Sequence, residues 1–169
     1  NTPEALEALL QDRVKDLFNK NKVLTDRELE ARYDILLDHY SKNIQIESRI
    51  LGEVALNQVI PPAIETQNKL IDHLTKLESI GINDGMAEIR VTVEKNAKHI
   101  KEVKKKVYEM IQERKKANNL ENSNEIADAY CNKVKPYIDE IRYHIEKLEL
   151  NVDDQLWEVP KYRELLFMR

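Results

Sequence analysis

Glycine, proline and cysteine are scarce in this sequence: its 169 residues hold 3 Gly, 5 Pro and 1 Cys. So few turn-forming residues cannot connect the many short strands of a sheet protein, which points instead to a few long helices. The single thiol, Cys131, has no partner for an internal disulfide, as expected of a chain in a reducing cytoplasm. Aromatic residues amount to 6%, and most tyrosines fall on apolar stripes, so a stacking platform for nucleic acid is not expected. The mild net charge of −4 excludes a nucleic-acid binder defined by bulk basicity. No apolar run approaches a membrane span, and no signal peptide pattern is present. The glycines at 52, 81 and 85 never cluster, which leaves no glycine-rich phosphate loop. The opening Asn1-Thr2-Pro3, without methionine, is what a piece of a longer protein would show.

What the sequence does have is apolar residues, 41%, set at helical spacing among 34% charged ones. The chain is organised around Asp26 to Glu78. Thr25 and Glu28 form a capping box, and Leu24 and Leu29 stand at the positions of a hydrophobic staple. Apolar residues then recur at helical intervals through Leu29, Tyr33, Leu37, Tyr40, Ile44, Leu51, Ala55 and Val59. Pro61 and Pro62 predict a kink, the pattern resumes from Ile64 to Leu77, and Gly81 supplies a left-handed stop. The result is one helix over 26–79, about 80 Å long. Within it, Ser48 and Gly52 place small residues four apart, where another backbone can approach closely, and Gly52 is a candidate packing position.

Three further helices are expected, over about 3–20, 86–117 and 123–150. The first is capped by Thr2, with Leu6, Leu9, Leu10, Val14, Leu17 and Phe18 as one stripe, and returns antiparallel along the long helix. In the third, Met86, Val93, Ile100 and Val107 recur at seven, with Asn96 as a polar interruption able to fix register. Its lysines are interleaved with Glu94, Glu102, Glu109 and Glu113, the pattern of a solvated face rather than a phosphate-binding stripe. Pro136 should bend the helix over 123–150 or mark a second start. The fold class is therefore all-α, an elongated helical bundle over 1–151 followed by a docking tail over 152–169. Trp157, Tyr162, Leu165, Leu166 and Phe167 crowd that tail, too short for a core of its own, and imply docking, either beside the long helix, the favoured outcome, or on a region outside this sequence.

No catalytic, cofactor-binding or metal-ligating residue stands out. The histidines at 39, 73, 99 and 144 lack the Glu-x-x-His or close His-His spacing of metal sites. Glu140 and His144, one helical turn apart, read as an ion pair before a metal clip. Cys131 has no local activating histidine.

Three blocks carry a family resemblance: Glu28-Leu29-Glu30-Ala31-Arg32-Tyr33-Asp34-Ile35, Tyr40-Ser41-Lys42-Asn43-Ile44-Gln45-Ile46-Glu47, and Val59-Ile60-Pro61-Pro62-Ala63-Ile64. With the closing Trp157-Glu158-Val159-Pro160-Lys161-Tyr162-Arg163-Glu164-Leu165-Leu166-Phe167, they resemble the C-terminal region of type III glutamine synthetases. Glu158 departs from that pattern, where the family tail is associated with proline. The resemblance implies a parent ligase that joins ammonia to glutamate with ATP and Mg, in a cytoplasmic homo-oligomeric ring. The carboxylates, arginines and glycine loop of that chemistry are not in this sequence, so no catalytic residue carries over. It implies a non-catalytic domain, structural or assembly-related, whose partner is the upstream catalytic region. The alternative is a stand-alone helical interaction module, binding neither nucleic acid nor membrane.

Overall fold

The computed structural model describes residues 1–161 together with Glu164 and Leu166. Among these the fold is all-α, with no strand. In chain order the helices are α1 (Thr2–Glu7), α2 (Asp12–Lys20), α3 (Asp26–Val54), α4 (Ile60–Ser79), α5 (Met86–Ala117), α6 (Ser123–Ala129) and α7 (Lys135–Glu149). Two compact units contain them. Unit 1 is Asn1–Arg49 with Glu109–Ile138, and unit 2 is Ile50–Tyr108 with the chain from Asp139 onward.

The long helix starts as its sequence dictates. Thr25 Oγ1 accepts the Glu28 amide at 3.4 Å, and the Glu28 carboxylate receives the Thr25 amide at 2.8 Å. These bonds hold the Glu28 carboxyl below its usual range, the Thr25 backbone contact being the larger cause. Helix geometry then continues over 54 residues, from Asp26 to Ser79. What precedes Pro61 is a π-helical turn, Ala55–Val59, in which the Ile60 amide reaches back five residues to the Ala55 carbonyl. The two prolines bring no N–H and would press their rings on the preceding turn, and one wider turn relieves both conflicts. Pro136 repeats the device: a π turn spans Tyr130–Val134, and the Lys135 amide bonds the Tyr130 carbonyl. At the far end Gly81, φ +75°, closes α4 with Gly81 N–H on the Glu78 carbonyl and Ile82 N–H on that of Leu77.

The first helix differs from the sequence expectation. Asn1, not Thr2, is the cap: its side chain accepts the Glu4 amide at 3.0 Å. The helix also breaks, passing through a 3-10 turn at Ala8–Leu10 to an extended Gln11 (ψ 139°) before α2 begins. Leu6 and Leu10 pack on the cluster of Tyr33, Leu37 and Ala127, with Tyr40 beside it. The re-aimed α2 buries none of its residues, and Leu17 stays 59% exposed. One straight stripe through Leu17 is thus replaced by two short helices that meet α3 separately. The return is antiparallel, with Lys15 on Glu30 (2.9 Å) and Asn19 on Asp26 (2.7 Å).

Candidate functional site

In unit 2, α5 and the α7 region meet along a seam that alternates apolar and polar pairs. Ile100, Val103, Val107, Ile141 and Leu148 are buried there, as the heptad spacing of α5 requires. Asn96 is fully buried, and its Oδ1 accepts from Asn151 Nδ2 at 3.0 Å. One turn on, His99 Nδ1 faces His144 Nδ1 at 2.8 Å, so one ring donates and the other must be neutral to accept. Further along, Lys106 Nζ donates to the Glu140 carboxylate. The partners run in opposite chain directions, which makes the seam an antiparallel register device.

Burial pushes both imidazoles below the usual histidine range. For His99 the next causes are His144, Lys98 and Lys147; for His144, Lys106 and Lys98 add to burial while Glu102 and Glu140 oppose it. The expected pairing of Glu140 with His144 is therefore corrected. Glu140 is drawn across to Lys106 and His144 to His99, because a facing helix offers partners that a single helix does not show. Asn96 was legible as a register residue; its partner Asn151 and the histidine pair were not. The available signal was spacing: Asn96, His99 and Lys106 share one heptad-like face, as do Glu140, His144 and Asn151.

Unit 1 has its own polar fastenings. Tyr33 Oη donates to Asn124 Oδ1 (2.5 Å), and Asn118 Oδ1 accepts from Tyr130 Oη (2.5 Å) and Gln45 Nε2 (3.2 Å). Burial pushes the Tyr33, Tyr40 and Tyr130 phenols up, which suits hydrogen-bonded packing groups. Cys131 is half-buried beside Tyr40, and a phenol so raised is no general base for a thiol.

Of the candidate docking residues, Gly52 is buried within α3 and Trp157 is 8% exposed. Lys161 Nζ lies 5.9 Å from the Trp157 ring centroid and also meets Asp154. Asp153 pairs with Lys69 at 3.6 Å, and Gln155, Leu156 and Glu158 share a 280 Å³ hollow with Pro61, Pro62 and Glu65. Residues 153–158 thus lie along α4. Leu166 is 78% exposed, and Tyr162, Leu165 and Phe167 fall outside the described residues. Among the described residues no three of His, Cys, Asp and Glu converge closely enough to hold a metal ion. Nor is any helix among them long and apolar enough to cross a membrane.

Residues 1–78 match the family model of the glutamine synthetase C-terminal domain. The whole chain aligns with a glutamine synthetase of Bacteroides fragilis at 36% identity, and with the type-3 glutamine synthetase of Dictyostelium discoideum at 28%. A glutamine synthetase of Butyrivibrio fibrisolvens is 26% identical over 98% of the chain. In each case the chain spans only 24% of the relative's length. The chain carries a glutamine synthetase C-terminal domain.

Proposed function

We propose that the chain is the non-catalytic C-terminal domain of a type III glutamine synthetase, and that it serves structure and assembly. The observation that supports this best is the coverage: the full chain aligns, yet it spans a quarter of enzymes that bear the glutamine synthetase name. In this reading ATP, Mg and glutamate are bound by the larger, catalytic part of a cytoplasmic homo-oligomer. The domain contributes helical surface, its helices held in register by half-buried pairs such as Asn96–Asn151. The test is made on the full-length enzyme with and without the region of residues 1–169. Light scattering should show fewer subunits per assembly for the shortened enzyme, with reduced glutamine formation. An unchanged number of subunits with unchanged activity would overturn the reading. Residues 1–169 alone should form no glutamine from glutamate, ammonia and ATP; metal-dependent turnover abolished by a substitution within them would overturn it too.

A further inference from the structure

Helix α3 is apolar on two faces, whereas a surface helix needs only one. Leu29, Tyr33, Leu37 and Ile44 are already buried in unit 1. On another face a groove of about 570 Å³ is lined by Leu24, Ala31, Ile35 and Leu36 with Arg32 and His39. A hollow of about 270 Å³ adjoins it through Leu24 and Glu28 and adds Val23. Val23 and Ile35 are 61% and 62% exposed. Scattered apolar residues on a surface are ordinary, but a continuous apolar groove marks an interaction site. Its lining carries both charges: Glu28, hydrogen-bonded to Thr25, and Arg32, which has no ion-pair partner among the described residues and so is free to meet an incoming anion.

We propose that this groove seats an apolar segment bearing a carboxylate from the catalytic part of the same polypeptide. The inference rests on the function proposed above. Two observations favour this occupant over a second copy of the domain. The relatives are about four times as long as the chain, which covers 24% of each, so a covalently attached surface is always at hand. Attachment gives an effective concentration in the millimolar range, with which a separate copy must compete. The groove also extends only from Leu24 to His39, about 23 Å of helix. That suits one helix or extended segment, and falls short of the roughly 800 Å² per partner of a stable dimer. The segment's carboxylate would meet Arg32.

The test uses the full-length enzyme with a photo-crosslinking side chain, Ile35→p-benzoylphenylalanine, and Ile80→p-benzoylphenylalanine as an exposed control in unit 2. The expected product runs as a single chain on a denaturing gel, and its linked peptide maps outside residues 1–169. In parallel, Ile35→Glu should speed tryptic release of the domain about tenfold, a change of about 1.4 kcal/mol in docking, and Ile80→Glu should not. A crosslink between two chains, or no more crosslinking at 35 than at 80, overturns the proposal. The two readings fail separately. If removing the domain alters assembly but position 35 links to nothing, the groove proposal falls and the assembly role stands. If position 35 links as expected but assembly is indifferent to the domain, the assembly role falls alone.

Discussion

His99 and His144 show how burial turns two ordinary side chains into a pH-sensitive joint. Lys98, Lys106 and Lys147 surround the pair, while Glu102 and Glu140 oppose them. Both folded values lie below the unfolded one, so the unfolded chain binds more protons as the medium is acidified. The pair's contribution to stability is therefore full above about pH 6.5 and is lost as pH falls below that value. The melting temperature should drop between about pH 6.5 and 5 by several degrees, and His99→Gln with His144→Gln should flatten that drop. An unchanged slope in the double variant would remove the pair as its cause. Asn96 makes the opposite kind of case. Its Nδ2 is buried without a partner, a cost accepted for register. Asn96→Leu, similar in branching, should raise stability by about 1–2 kcal/mol while loosening the choice of register. Denaturant midpoints measure the first effect and the spread of amide exchange rates across α5 the second.

At the scale of elements, the joints decide more than the helices do. Between α2 and α3, Lys22 sits at φ 54° and closes α2, with its amide on the Asn19 carbonyl and the Val23 amide on that of Phe18. A glycine normally holds this left-handed position, and an L-residue there costs about 1 kcal/mol. Lys22→Gly should therefore stabilise the chain by about 0.5–1 kcal/mol, read as a higher thermal midpoint; a loss would mean that the Lys22 stem packs usefully. Helix existence was legible in the sequence wherever a cap and a sustained period agreed, as at Thr25–Glu28 and along α5. What periodicity hid was backbone accommodation. It assigned Leu6 to Phe18 to one helix, because a 3-10 turn at Ala8–Leu10 barely disturbs the apolar spacing. It placed a kink at Pro61, where the chain answers with a wider turn before the proline. The polar pairs across α5 and α7 were hidden for another reason. A partner on a different helix leaves no mark in local spacing, so Asn96 was readable as a register residue and His99 was not.

For the molecule as a whole, much depends on how the chain ends. Val152 is 5% exposed and Trp157 8%, both in a stretch with little regular structure of its own. Burying two such side chains contributes about 1.5–3 kcal/mol each. The orphaned Trp157 Nε1 subtracts part of this, because its N–H leaves water for no acceptor. Residues 153–158 lie against Lys69 and the Pro61–Pro62 start of α4, so the gain falls to unit 2. Trp157→Ala should cost about 3 kcal/mol. Deleting residues 152–169 should lower the melting temperature by roughly 5–10 °C. Trp157 is the chain's one tryptophan, so its emission reports on this packing without interference. In the intact chain the emission should be blue-shifted and move red as unit 2 melts. A red emission in the folded protein, or a deletion that melts with the parent, would mean that the tail adds nothing to unit 2 and that its apolar residues serve a surface elsewhere.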